Sequence, residues 1–206
     1  MRKELAKVLT EWQETWAPEL IERDFDISLI PWELNRVVTF AGCRRTGKTH
    51  LMFQLINELA KTTERESIFY INFEDERLEK SRKTLTELIP TIEELYGKKG
   101  RLYLFLDEIQ NVENWDSWVR CVNDSRRDVR LFLSGSSSKL SSREIPTSLR
   151  GRALTFEVFP LSFWEFLRFR KFEVPERVEF SKKKPELLNL LREYVLFGGF
   201  PEVVLT

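Results

Sequence analysis

The sequence predicts a three-layer α/β fold built on a five-stranded parallel sheet. Three observations carry this expectation. Apolar runs alternate with amphipathic segments along the chain, as repeated βα units require. The run Arg101–Leu106 is almost continuously apolar, which suits a strand buried on both faces. The first run, Val37–Ala41, passes through a glycine-punctuated loop directly into a helical segment.

Residues 3–16 read as an amphipathic helix, because Leu5, Val8, Leu9, Trp12 and Trp16 recur at helical spacing. Pro18 ends or bends it, and residues 21–32 are mixed, with Pro31 as a breaker. Strand one spans about 36–41. The next helix spans about 48–61, with Leu51, Met52, Leu55, Ile56 and Leu59 as its inward stripe. Strand two is Ser67–Phe73, capped by the solvated Glu74-Asp75-Glu76. A charged helical region follows over 78–96, with Leu85, Leu88, Ile92 and Leu95 inward. Strand three ends at Asp107-Glu108, and Asn114 is expected to cap a helix over 115–126. Strand four is Val129–Leu133, with a Ser/Gly-rich end, and strand five is Ala153–Phe159. Helices over 162–171 and 185–197 complete the chain.

The chain has 206 residues, of which 42% are hydrophobic, enough for one α/β domain plus an appendage. The expected organisation is an N-terminal helix and linker over 1–33, a core over 34–160, and a helical segment over 161–206 that begins a longer C-terminal region. Basic and acidic residues balance at 33 each, so no net field draws the whole molecule to nucleic acid or membrane. No apolar run approaches the length of a membrane span. Two cysteines, Cys43 and Cys121, form no disulfide framework, and with one histidine, His50, a zinc site is not expected. The cytoplasm, a reducing compartment, is the expected location.

The chemistry concentrates at Gly42-Cys43-Arg44-Arg45-Thr46-Gly47-Lys48-Thr49, which matches G-x-x-x-x-G-K-[ST] in full, the Walker A pattern of a P-loop. Glycines allow the loop to wrap closely round phosphate oxygens. Backbone N–H groups from Gly42 to His50, together with the start of a helix, form an anion site. Lys48 is placed to neutralise the β- and γ-phosphates, and Thr49 to offer its hydroxyl to Mg²⁺. Asp107, at a strand end, is expected to hold the metal, directly or through water. Glu108 beside it is the expected catalytic base that orients and deprotonates water. An extra strand between the two motifs marks the additional-strand, catalytic-glutamate class of P-loop NTPase, with sheet order 5-1-4-3-2. That order sets Ser134 and Ser136 near the γ-phosphate as sensors, against the competing reading of an ordinary Ser/Gly turn. Arg150 and Arg152 flank Gly151, and each reads either as an arginine finger or sensor, acting in cis or from a second copy, or as part of a solvent-exposed basic turn, the simpler reading for Arg150. Arg23, Ile30 and Pro31 are candidates to pack on a nucleobase, or else belong to a surface linker.

These motifs, with Leu106–Val112, Leu133–Ser138, Gly151-Arg152, Pro160–Phe166 and Gly198–Glu202, resemble the archaeal and bacterial ATP-binding proteins of the AAA-14 type, which look related to the STAND signalling ATPases. The resemblance covers about 20–202. It implies ATP/ADP and Mg²⁺ as cofactors, slow or regulated hydrolysis that drives a conformational switch, and Arg152 facing the nucleotide or a homo-oligomer interface. Cys43 departs from the proline more common there, at a position where the loop uses its backbone. The partner, protein or nucleic acid, is not supplied by the resemblance. Two alternatives stand beside the ATPase. One is a nucleotide-gated binding module that contacts nucleic acid or protein, with Lys182-Lys183-Lys184 and Arg168, Arg170 and Lys171 as its basic clusters. The other is a P-loop kinase, which the Asp-Glu strand end disfavours. No Asn-Lys-x-Asp motif points to a GTPase, and no Leu-Ser-Gly-Gly-Gln signature to an ABC-type enzyme.

Overall fold

The computed structural model describes residues 2–97, 100–136, 149 and 151–205. Five strands form one parallel sheet: β1 (Val37–Gly42), β2 (Ile68–Asn72), β3 (Leu102–Asp107), β4 (Val129–Ser136) and β5 (Ala153–Glu157). Their order is β2-β3-β4-β1-β5, which is the expected 5-1-4-3-2. Between them run α2 (Lys48–Leu59), α3 (Arg82–Tyr96) and α4 (Trp115–Ser125). Right-handed crossovers put α2 on one face and α3 and α4, which pack together, on the other. The helix α1 (Arg2–Thr15) precedes the sheet, and α5 (Phe163–Phe169), α6 (Lys184–Phe197) and α7 (Pro201–Val204) follow it. Among the described residues no helix is long and apolar enough to cross a membrane.

The central strands β1 and β3 are buried at every position, as their unbroken apolar runs require. Phe105 and Phe132, opposite each other on β3 and β4, stack at 4.4 Å between ring centroids. At one edge, the free carbonyls of β2 would be an open template for another strand. There α1 closes the sheet: the Trp12 indole and the Gln13 amide both donate to the Ile68 carbonyl, at 2.9 and 3.0 Å. Leu5, Val8, Leu9 and Trp12 thereby join the main core. A second, smaller apolar cluster gathers Leu161, Phe166, Leu167, Leu190 and Val204.

Several local expectations are corrected. Strand β4 runs on to Ser136, so Ser134 and Ser136 lie in the sheet and not in a turn. Asn114 does precede α4, but its backbone is left-handed (φ 53°) and its side chain makes no capping bond. Leu95 faces out, 45% exposed, because it falls off the stripe that Leu85, Leu88, Ile89 and Ile92 bury. Residues 137–148, which include the last of the Ser/Gly-rich end of strand four, and Arg150 lie outside the described residues.

The Phe105–Phe132 stack is the centre of the sheet's packing. Phe132→Ala is expected to cost about 3–5 kcal/mol, because a buried cavity adds to the lost transfer energy. Urea denaturation followed by far-UV circular dichroism measures it, and a loss below about 1 kcal/mol would contradict this packing.

Candidate functional site

The carboxyl ends of β1, β3 and β4 lie side by side and present the site, as open parallel sheets do. Phe40 stands opposite Ser134, and Asn72 opposite Asp107. Side chains alternate in period two, so Tyr70, Phe105, Asp107, Phe132 and Ser134 share the face that α2 covers. That alternation decides what surrounds Asp107.

Asp107 is 1% exposed, and each of its oxygens has two donors. Oδ2 accepts from the Thr49 hydroxyl at 2.6 Å and from the Tyr70 hydroxyl at 2.8 Å. Oδ1 accepts from the Ser134 hydroxyl and from the Glu108 N–H at 3.1 Å. A buried carboxylate without such partners would be strongly disfavoured. Burial pushes the Tyr70 phenol well above its ordinary pKa, and the negative charge of Asp107 pushes it further. The phenol is therefore a fixed donor.

Glu108 follows with a left-handed backbone (φ 50°), unusual for a residue with a side chain. Its N–H also lies 3.3 Å from Ser134 Oγ, and its carboxylate accepts from the Gln110 amide. The same amide lies 3.5 Å from Ser136 Oγ. Gln110 Oε1 is buried and has no hydrogen-bond partner among the described residues.

The loop from Cys43 to Gly47 connects β1 to α2. Lys48 is 5% exposed, and its ammonium donates to the carbonyls of Cys43 at 2.8 Å and Gly42 at 3.2 Å. Burial lowers its pKa, against the opposing pull of Glu108 and Asp107. Thr46 is buried and its hydroxyl donates to the Cys43 carbonyl at 2.9 Å, so it braces the loop from within. Cys43, Arg44 and Arg45 are exposed. Arg44 reaches Glu74 at 3.3 Å, which brings that strand cap to the loop's outer face. Arg45 pairs with Glu202 at 3.1 Å. His50, in the first turn of α2, is also exposed; partial desolvation and the charge of Arg23 lower its pKa. Gly47 takes φ 94°. Gly42 has a different reason to be glycine: a Cβ there would lie 2.3 Å from the Val158 carbonyl oxygen.

A cavity of about 630 Å³ opens over this loop. Gly47, Lys48, Thr49, His50 and Glu108 line its polar side, and Pro18, Leu20, Ile21, Phe169, Pro201 and Leu205 its apolar side. The adjacent hydroxyl of Thr49 and carboxylate of Asp107 are hard oxygen donors, which fit Mg²⁺; that ion takes one or two protein ligands and completes its shell with water and phosphate. Among the described residues no cluster of three or more His, Cys, Asp or Glu offers another metal site.

The family model AAA_14, described as an AAA domain, matches residues 34–167. The chain belongs to this AAA family. The match spans the five-stranded sheet and the start of the helical segment beyond it. The chain is 47% identical over 187 residues to an uncharacterized protein of Methanocaldococcus jannaschii, a match covering 91% of this chain and 40% of that one. It is 31% identical over 172 residues to an uncharacterized protein of Haemophilus influenzae, covering 82% and 40% respectively. The chain thus spans about two-fifths of the length of these relatives. Among solved structures it is similar to C. elegans PCH-2, with TM-score 0.49, 18% identity, and coverage of 93% of this chain and 46% of that one. It is also similar to AMPPCP-bound DnaA from Aquifex aeolicus, with TM-score 0.45, 18% identity, and coverage of 93% and 60%.

In this AAA domain the structure brings together Lys48, Thr49, Asp107, Glu108, Ser134 and Ser136. It does not bring Arg152 to them. The Arg152 carbonyl accepts from the Val37 N–H, where β1 begins, whereas the loop leaves β1 after Gly42. That separation is five residues of strand, roughly 17 Å at about 3.3 Å per residue. The Arg152 guanidinium instead forms a two-point pair with Asp124 at 2.7 and 2.9 Å. Of the two expected placements, in cis or from a second copy, this geometry sets Arg152 apart from the phosphate loop of its own chain. Ile30 and Pro31 also lie away from the cavity lining, which the preceding residues Pro18–Ile21 and Arg23 supply instead. Half of the six side chains in the basic clusters are in ion pairs: Arg168 with Asp24, Arg170 with Glu193, and Lys183 with Glu173.

Tyr70 was not singled out by sequence, although period-two alternation from β2 to β3 puts it on the face of Asp107. Replacing it with phenylalanine removes one of four donors, at an expected cost of about 1.5 kcal/mol. The cost is expected to depend on pH. The folded-state phenol pKa is raised, so its stabilising contribution is complete below about pH 10, where the unfolded chain's tyrosine starts to ionise, and is lost as pH rises above that. Urea midpoints at pH 8 and pH 11 should therefore fall more steeply with pH for the native chain than for Tyr70→Phe. Parallel slopes would refute the assignment.

Proposed function

We propose that this chain binds Mg-ATP and hydrolyses it, and that the nucleotide's state is passed to the helical segment beyond β5. The observation that carries the proposal is the 2.6 Å contact between the Thr49 hydroxyl and the Asp107 carboxylate, with Glu108 next in sequence and lining the same cavity. A phosphate-binding loop alone accounts for binding; the adjacent second carboxylate supports hydrolysis.

In this reading, the first-turn N–H groups of α2 and the ammonium of Lys48 bind the β- and γ-phosphates. Lys48 exchanges its bonds to the Gly42 and Cys43 carbonyls for bonds to phosphate oxygens. Thr49 and Asp107 would hold the metal ion, which when bound offsets negative charge on the phosphates. Glu108 orients a water and takes its proton, while Gln110 fixes the Glu108 carboxylate. Ser134 holds Asp107 in register, and Ser136 steadies Gln110. The apolar wall of Pro18, Leu20, Ile21, Phe169 and Leu205 receives the base. Arg152 enters the reaction only from a second copy of the chain, because its own strand places it at the far end of the sheet.

The test separates binding from chemistry. Glu108→Gln is expected to keep ATP affinity within a few-fold and to lower phosphate release by about 100-fold or more. Lys48→Ala is expected to lose both binding and turnover. Equal phosphate release by the native chain and Glu108→Gln, with no added acceptor, would remove the hydrolytic assignment.

A further inference from the structure

Arg23 lies outside every motif that defines the site, yet its guanidinium is bonded to the phosphate loop. Nη1 donates to the Thr46 carbonyl at 2.7 Å, Nη2 to the Phe159 carbonyl at 2.9 Å, and Nε to Glu165 Oε1 at 2.6 Å. The two side chains are 10% and 6% exposed, so this is a buried ion pair. The Arg23 backbone is itself clamped to α2: its N–H donates to Gln54 Oε1 at 2.9 Å, and its carbonyl accepts from Gln54 Nε2 at 3.2 Å. The fit is tight, since a Cβ on Gly47 would lie 3.0 Å from Arg23 Nη1.

Glu165 is equally committed. Besides Arg23, it accepts from the Asp24 N–H at 2.8 Å and the Ser162 N–H at 2.7 Å. The second of these closes a capping box at the start of α5. Burial alone would raise its pKa, but Arg23 and the two N–H groups outweigh that and hold the carboxyl ionised. From Ser162 the connection runs on through the backbone. The Leu161 N–H donates to the Gly199 carbonyl at 2.6 Å, and the Tyr194 hydroxyl donates to the Leu161 carbonyl at 2.8 Å. A Cβ on Gly199 would lie 2.2 Å from the Leu161 oxygen, so the two strands of chain move together or not at all. The tail then returns to the loop, where Pro201 approaches Gly47 and Glu202 pairs with Arg45.

We infer that Arg23 is a positioning residue that senses the conformation of the phosphate loop through the Thr46 carbonyl and transmits it, through Glu165, to residues 160–169 and 198–204. The inference rests on the nucleotide-binding reading above. Its physical basis is that Lys48 and Thr46 both bond loop carbonyls, which phosphate would compete to release, and that the Thr46 carbonyl cannot shift without moving a buried fork whose other arms are fixed to the C-terminal segment.

Hydrogen–deuterium exchange of the full chain, without nucleotide and with Mg-ATP or Mg-ADP, tests this, with affinity measured in parallel using a fluorescent ATP analogue. In the native chain, nucleotide is expected to slow exchange both in residues 42–50 and in 160–169 and 198–204. Glu165→Gln keeps the volume but removes the charge. It is expected to bind nucleotide with a Kd within about threefold of native and to confine the exchange change to 42–50. Arg23→Lys, which keeps charge but loses the fork, is likewise expected to confine the exchange change to 42–50, measured at a nucleotide concentration that saturates the variant. Native chain that binds nucleotide yet changes exchange only in 42–50 would overturn the coupling while leaving the binding proposal intact, and this measurement needs no variant to fold. Native-like transmission in Glu165→Gln or in Arg23→Lys would also overturn it. Native chain with no affinity for the analogue would remove the nucleotide reading and the coupling together.

Discussion

A carboxylate sealed inside a protein is costly unless every lone pair is used, and Asp107 meets that condition with four donors from four parts of the chain. Thr49 comes from the helix after the phosphate loop, Tyr70 from the edge strand, Ser134 from the neighbouring strand, and the last donor from the next residue's own backbone. The fixed register of β2, β3 and β4 is what brings these groups to one point. A slip of one residue in any of the three strands would turn its contributor to the other face and leave the carboxylate short of a donor. The polar site thus imposes on the sheet a register that the apolar core would enforce less strictly.

The same constraint explains the backbone at Glu108. Its N–H is drawn in toward Asp107 and Ser134, and its left-handed backbone accompanies a side chain that lines the cavity over Lys48 and Thr49. Local strain and functional placement coincide here. Edge closure by α1 belongs to the same economy, because Trp12, which seals the β2 carbonyl, also packs on Tyr70 at 5.3 Å and backs the ring whose hydroxyl serves Asp107.

Much of this was legible in the sequence. Strand order followed from the extra strand between the phosphate loop and Asp107-Glu108, which marks the class of P-loop protein whose usual order is 5-1-4-3-2. Lys48, Thr49, Asp107 and Glu108 were legible because fixed spacing carries their chemistry. Less accessible were contacts made across long sequence separations by ordinary residues. Tyr70 is one of many aromatic residues in apolar runs, and only the realised β2–β3 register shows that its hydroxyl has a partner. Arg23 and Glu165 lie 142 residues apart, and although Arg23 was a candidate at the nucleobase and Glu165 fell in the Pro160–Phe166 motif, nothing local pairs the one with the other. Arg152 was open between a role within its own chain and one from a second copy. Its motif marks the start of β5, and the parallel direction of that strand places it away from the loop.

Gly42 carries a consequence for how such chains diverge. Its lack of a side chain is already demanded by the backbone of Val158 passing 2.3 Å from where a Cβ would sit, before any phosphate is bound. Selection for a folded molecule is therefore enough to retain the first glycine of the pattern. A descendant that had abandoned nucleotides altogether would keep it, and would lose Lys48 or Glu108 first. Within this lineage the opening glycine is a marker of architecture, and the record of activity is written in the residues that follow it.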